Sequence, residues 1–478
     1  MATTLTVSTY SSAVPTLREL AAMEASLEAR YADKLTVNAS LTRQLVSFQA
    51  NKTEPVLRWF RYKEGFSSAL VRSFLESTAF PPGPILDPFA GVGTTLYEAS
   101  SLGRDSFGIE LLPVGVEVMR AREAASLLSP DEVAALGRIA HERPWKSWVG
   151  SGMPFPHLRI TRDAFPADTE VELGRYLAFA HSMDDPLFTV LRFAALCILE
   201  PISFTRKDGQ YLRWDHRSGR RQGKKPFDKG RILGFEAAIG GKLAEICADL
   251  NGPGDRLQGL FDEPIRGRMT VAAGSLFERL SELEPRSIAG VITSPPYCNR
   301  YDYTRTYALE LAALGVGEER LKELRQSLLT CTVENREKVH LSRTIPDTIW
   351  RSALEAFHCH EFLQGTLAYL RDQRDRGQLN NDGIARMVEG YFLEMTVAIF
   401  QLAEILSERA PIVMVNDNVR YAGASIPVDL ILSDFAMRAG LRTERIWVLP
   451  TGKGNSSQQM GEHGRKELRK CVYVWRKS

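Results

Sequence analysis

The sequence predicts an α/β fold: a doubly wound sheet, mixed because its last two strands run antiparallel, with two largely helical insertions. Three observations point there. Short apolar runs alternate with stretches of helical period on both sides of the insertions. Two of those runs end in glycine- or proline-rich motifs, DPFAGVGTT and TSPPY. The closing runs IWVLP and CVYVWRK, rich in Trp, Val and Tyr and joined by a glycine-rich polar loop, form a natural antiparallel pair. Strands separated by helices argue for a parallel sheet, and the final pair on its edge makes it mixed.

Taken in order, residues 1–54 form a helical arm built on LRELAAMEASLEARYADKL, and WFRYKEGFSSALVRSFLE carries apolar residues at the spacing of a first core helix. Ile85 and Leu86 end a short strand, a glycine turn follows, and Thr94 to Leu102 reads as helix; DSFGIE is a second strand ending in an acid. Residues 121–267 are mostly helical, broken by the basic stretch FTRKDGQYLRWDHRSGRRQGKKPFDKGR. Strands resume at MTVAAG and AGVITSPPY, residues 311–406 are again helical, and PIVMVNDN is a further strand. The core is therefore expected to comprise 55–120, 268–310 and 407–478, with 121–267 and 311–406 inserted into it.

The bulk numbers bound the function. A chain of 478 residues carries about three domains' worth of sequence. With Lys+Arg 60 against Asp+Glu 58, the net charge of +2 gives no bulk attraction for a polyanion, so any such site is local. Six scattered cysteines without framework spacing suit a reducing cytosol. The opening MATTLTVSTYSSAVP has no basic leader followed by an apolar run, and the most apolar internal stretch is broken by Arg192 and Glu200; a cytoplasmic protein that does not span a membrane is expected.

In open α/β sheets ligands sit beyond the carboxyl ends of strands, where Asp87 to Thr95 falls. Gly91 and Gly93 remove side chains where a bulky ligand passes, with Asp87, Phe89 and Thr94 around them. Glu110, at the next strand end, can accept hydrogen bonds from ribose hydroxyls, so the pattern specifies a nucleoside. A nicotinamide fingerprint needs a third glycine, and Leu96 stands in its place.

Thr293-Ser294-Pro295-Pro296-Tyr297 follows another apolar run and faces the same crevice. The two prolines hold Ser294 extended, orienting its hydroxyl and the Pro295 carbonyl as rigid acceptors for an exocyclic amino group. Tyr297 offers a flat face to a base extruded from its duplex. Amino-group transfer needs no covalent nucleophile, so Cys298 reads as structural.

Together these motifs resemble those of the S-adenosylmethionine-dependent amino-group DNA methyltransferases, whose patterns run roughly D-P-F-x-G-x-G-T-T and [SDN]-P-P-[YFW]; Asp87 to Thr95 and Ser294 to Tyr297 match both. The resemblance implies a Rossmann-like methyltransferase sheet, S-adenosylmethionine as cofactor and double-stranded DNA as substrate, with a cognate restriction nuclease as a genetic partner. Serine in the first catalytic position is typical of cytosine-N4 members and aspartate or asparagine of adenine-N6 members, so cytosine N4 is implied, with adenine N6 or RNA as the alternative. A non-catalytic nucleic-acid-binding protein is a further alternative, disfavoured by the intact Ser294 to Tyr297 motif. By the same resemblance Phe66, in RYKEGF, contacts the methionine moiety. Ser275, beside Gly274, stands where the family usually has an acid near the adenine. The loop from Gly454 to Met460 resembles a segment flanking the target base. The cofactor motif precedes the catalytic one by about two hundred positions, the less usual order for a cytosine-N4 enzyme.

DNA recognition is expected in the first insertion. Between Arg206 and Arg231 ten basic residues face three acidic ones, a net +7, interleaved with aromatics. Arg206, Lys207, Tyr211, Arg213, Trp214, Arg217, Arg220 and Arg221 are the candidate contacts, since phosphate contacts position a protein while Arg and planar groups read bases. His358-Cys359-His360 is a poor chelate because adjacent helical residues point to different sides, and no metal is expected.

Overall fold

The computed structural model describes residues 14–208, 212–223, 225–252, 267–450, 453–454, 463–464 and 467–478. Its centre is an eight-stranded sheet whose members, numbered along the chain, are β1 (Leu35–Val37), β2 (Ile85–Asp87), β3 (Ser106–Glu110), β4 (Met269–Ala273), β5 (Gly290–Thr293), β6 (Pro411–Asp417), β7 (Leu441–Val448) and β8 (Lys470–Lys477). Their spatial order is β1-β7-β8-β6-β5-β2-β3-β4. Neighbours from β6 through β5, β2 and β3 to β4 run parallel, whereas β8 is antiparallel to both β6 and β7. The sheet is thus mixed, as the sequence predicts, with the closing pair antiparallel.

The chain leaves β2 in one direction, through β3 to β4, then returns to place β5 and β6 on β2's other side. The carboxyl ends of β2 and β5 therefore flank the point where the strand order reverses, which is where such sheets open a crevice. DPFAGVGTT leaves β2 and SPPY leaves β5, so both motifs enter it.

Two local readings change. The arm supplies the helix Leu17–Arg30, closed by a Thr16/Glu19 capping box, but also the edge strand β1, parallel to β7. Three residues are too short a run to register as a strand against a helical neighbourhood. The first core helix begins at Ser68, later than the apolar spacing from Trp59 onward suggests: Ser67 caps it by accepting from the Leu70 N–H at 3.1 Å. Trp59, Phe60 and Tyr62 are buried, but in a single 3-10 turn, Leu57–Trp59, and the irregular segment after it, packed on the first insertion.

The helix Ile384–Ile405 and the helix Val428–Arg438 cover one face of the sheet in the largest core cluster. The first insertion sets Ala167–Ala180, Leu187–Ile202 and Phe235–Asn251 beside the helix Pro113–Ser126 that leads into it, and their buried residues share one core with Trp59, Phe60, Tyr307 and Leu311. Its core is continuous with elements that frame the crevice, so it is fastened to the site it borders. The basic stretch contains an antiparallel hairpin, Thr205–Lys207 with Leu212–Trp214.

Candidate active site

Gly91 and Gly93 both have positive φ, +56° and +80°, the left-handed region that glycine occupies without strain. Gly93 ends the turn and starts the helix Thr94–Ser101. A Cβ on Gly91 would stand 3.0 Å from the Tyr62 ring and one on Gly93 2.7 Å from Met119 Sδ, so the turn has little room for a side chain at either position. Gly115, in the first turn of Pro113–Ser126, is tighter still: a Cβ there would lie 2.2 Å from the Gly91 carbonyl oxygen and 2.8 Å from Glu110 Cγ. Sequence alone does not single out Gly115, because nothing in GIELLPVGVE shows that this helix start is pressed against an earlier loop of the chain.

The two acids close the turn. Glu110 accepts from the Gly91 N–H through one oxygen and from the Leu112 N–H through the other, both at 2.7 Å. Each oxygen keeps a second lone pair for a ligand hydroxyl. Burial pushes its carboxyl up to about 7 against the restraining pull of those backbone donors. Asp87 accepts from the Phe89 N–H at 3.1 Å and from Thr293 Oγ1 at 2.6 Å, and burial raises it to about 6.

The crevice has two chambers. The first is lined by Phe66, Asp87, Phe89, Gly91, Thr94 and Glu110 among others, and is largely apolar. An apolar wall with a few directed polar groups suits a nucleoside. Gly274 (φ +144°) and Leu276 line it, while Ser275 between them stands at the start of the helix Leu276–Ser281 without a side-chain capping bond and is not among its wall residues. The second chamber, about 1070 Å³ with its open mouth, is polar and includes Ser294, Pro295, Tyr297, Asp417 and Lys470. Ser294, Phe66, Glu64, Gly65 and Tyr303 belong to both, so the chambers meet at the serine.

At that junction the Ser294 hydroxyl lies 3.1 Å from the Val415 carbonyl oxygen and 3.1 Å from the Tyr297 hydroxyl, to either of which it can donate. Its single proton is thereby turned to the protein, and its lone pairs are left for the chamber. Lys470 donates to the Tyr297 hydroxyl at 3.3 Å and is paired with Asp417 at 3.1 Å. Glu64 accepts from the hydroxyls of Tyr301 and Tyr307, fixing the wall between the chambers. Glu64, Tyr301, Tyr303, Asp417 and Lys470 carry no signal of their own in the sequence; only the fold brings them to one cavity. Cys298 is fully buried, and burial pushes its thiol well above the ordinary range, so it is held as the neutral thiol.

The basic hairpin stands beside the second chamber, whose wall includes Lys207 and Asp208; Lys63 of the RYKEGF segment donates to the Lys207 carbonyl at 2.6 Å. The candidate DNA contacts divide in two. Arg206, Arg213 and Arg221 are exposed, Arg213 lying 4.0 Å over the Phe227 ring, and Arg220 stacks 3.6 Å over Trp214. Arg217 is exposed but forked onto the buried Asp215, with contacts of 2.7 and 2.9 Å. Lys207 is buried, its ammonium paired with Glu310 and 4.4 Å from the Tyr307 ring centre, so it faces inward. Tyr211 lies outside the described residues, as do 455–460 of the polar loop. In the second insertion, His360 accepts from the Leu363 N–H through Nδ1, capping the helix Glu361–Asp375, and its Nε2 lies 3.3 Å from Asp434. No helix among the described residues is long and apolar enough to cross a membrane.

The chain is similar to known proteins along nearly all of its length. The family described as DNA methylase matches residues 33–119. The Type II methyltransferase M.AvaI of Nostoc sp. (strain PCC 7120) is 47% identical over 467 residues, covering 96% of this chain and 94% of its own, and the Anabaena variabilis protein of that name matches equally. The Type II methyltransferase M.BsoBI of Geobacillus stearothermophilus is 39% identical over 478 residues, covering 94% of this chain and 91% of its own.

Proposed function

Because the chain belongs to the type II DNA methyltransferases of the amino-group methylase family, which take their methyl group from S-adenosylmethionine, we propose that it methylates the exocyclic N4 of cytosine within a specific DNA sequence. The observation that carries the reading is Ser294 at the junction of the two chambers, with its lone pairs turned to the cavity.

An aromatic amine is a poor nucleophile because its lone pair is delocalised into the ring. Ser294 Oγ and the Pro295 carbonyl, accepting its two N–H bonds, favour a pyramidal nitrogen and turn the lone pair toward the first chamber. S-adenosylmethionine bound there supplies an electrophilic methyl group for in-line displacement. Phe66, Phe89, Gly91 and Glu110 would hold it, and the apolar wall with Gly91 and the Glu110 carboxyl on it fits such a group. Tyr297 offers its face to the flipped base, offsetting part of the unstacking cost. The aromatic wall of Tyr301 and Tyr303, backed by the buried Tyr307, excludes water from the approach.

Serine, not aspartate or asparagine, in the first position is what supports cytosine N4 over adenine N6. The exposed Arg206, Arg213 and Arg221, with the Arg220–Trp214 stack, supply the DNA contacts beside the chamber. Lys207 and Arg217 support that surface from within through their acidic partners. The first insertion then acts as the recognition region, and the modified site protects DNA from a nuclease that cuts the same sequence. Digestion of methylated duplex DNA to nucleosides tests the target: N4-methylcytosine is expected, and N6-methyladenine would overturn the choice of cytosine.

A further inference from the structure

β6 and β8 pair antiparallel with Lys470 opposite Asp417, at the sheet end that opens into the second chamber. The side chain of Lys470 is only 16% exposed, and its ammonium has two partners: Asp417 at 3.1 Å and the Tyr297 hydroxyl at 3.3 Å. Burial alone would make this amine easier to deprotonate, but Asp417 and the phenol oxygen outweigh it and raise it above the ordinary lysine range. The ammonium is therefore a permanent donor. A lysine can only donate, so the phenol oxygen must accept from it, and Ser294 lies 3.1 Å from the same oxygen with its own proton available to give. That proton has two acceptors at 3.1 Å, the phenol oxygen and the Val415 carbonyl, so the ammonium is the donor whose direction onto the phenol is fixed.

Resting on the amino-methyltransferase reading of this site, we propose that Lys470, held by Asp417, is a positioning residue for the target base: it fixes the Tyr297 hydroxyl beside Ser294 and the ring against which the base stacks. Without Lys470 the Tyr297 hydroxyl loses this donor, and its place beside Ser294 Oγ is no longer held. The same contact sets the tilt of the Tyr297 ring against which the base stacks, the ammonium lying 5.2 Å from the ring centre. Lys470 does not touch the reacting atoms and acts through Tyr297.

The test is a double-mutant cycle on kcat for methyl transfer to duplex DNA, with Lys470→Met and Tyr297→Phe. Lys470→Met is expected to lower kcat about ten-fold in the native background, with KM for S-adenosylmethionine unchanged. In the Tyr297→Phe background, where no phenol oxygen is left for Lys470 to hold, the same change is expected to cost less than about two-fold. Should Lys470→Met fail to fold because Asp417 is left unpaired, the Lys470→Met/Asp417→Asn pair removes both charges and enters the same cycle. Equal losses in both backgrounds would overturn the role of Lys470 while leaving the enzymatic reading intact; absence of transfer by the unaltered protein would overturn both.

Discussion

Thr293 Oγ1 donates to Asp87 Oδ1 at 2.6 Å, both residues buried, and so ties the carboxyl end of β5 to that of β2 across the reversal of the sheet. The residue before the catalytic motif thus holds the first residue of the cofactor motif, and each half of the crevice is placed relative to the other.

Thr293→Val keeps the volume and removes this bond. A buried acceptor left short of a donor costs about 1–3 kcal/mol, partly reduced because Asp87 can take up a proton. Denaturant unfolding is expected to show that loss, together with weaker S-adenosylmethionine binding. An unchanged affinity would show that the strand ends are set without the bond.

Gly115→Ala is the sharper lesion in the cofactor half. Its Cβ would meet the Gly91 carbonyl at 2.2 Å, a backbone atom that cannot swing aside. Cofactor affinity is expected to fall at least about ten-fold while the far side of the protein keeps its fold, with overpacking costing about 1–3 kcal/mol. Calorimetric titration with S-adenosylmethionine, beside far-ultraviolet dichroism, checks both.

Glu110 gives the cofactor site a pH dependence. Its carboxyl is raised in the folded protein, so it contributes stability at low pH that is lost as pH rises through about 7. Asp87, raised to about 6, acts in the same sense. Ligand hydroxyls favour the ionised acceptor, so S-adenosylmethionine affinity is expected to rise with pH up to about 7 and then level. Glu110→Gln should bind more weakly and lose most of that slope.

On the DNA face, Arg206→Ala/Arg213→Ala/Arg221→Ala is expected to weaken duplex binding and to lower the slope of log affinity against log salt by up to about 3, one for each phosphate contact. Lys207→Met is expected to leave that slope unchanged, since its ammonium is spent on Glu310. Fluorescence anisotropy at several salt concentrations separates the two.

The parts of the site that are legible in the sequence are those whose chemistry is local. Asp87 to Thr95 and Ser294 to Tyr297 need particular residues in unbroken runs, and both runs end strands whose apolar pattern is plain. Lys470 is not legible, because its place depends on β8 slotting between β6 and β7 with Asp417 opposite, far away in the chain. Gly115 is hidden for the same reason: the clash it avoids lies on another element. In the basic hairpin, composition shows the charge but not its partners, so Lys207, buried with Glu310, cannot be told from Arg213, which faces solvent. Ser275 is placed by likeness to a motif, and the chamber wall is made instead by its neighbours Gly274 and Leu276.

Ser294 stands where the two chambers meet, and on the proposed reading its part is in the transfer alone. Ser294→Ala measures this most directly, with S-adenosylmethionine affinity and methyl transfer followed on the same preparation. Affinity is expected to stay within about two-fold of the native value and transfer to fall by about a hundred-fold or more, the scale of losing one preorganised polar partner of a transition state. Transfer retained near the native rate would contradict that role.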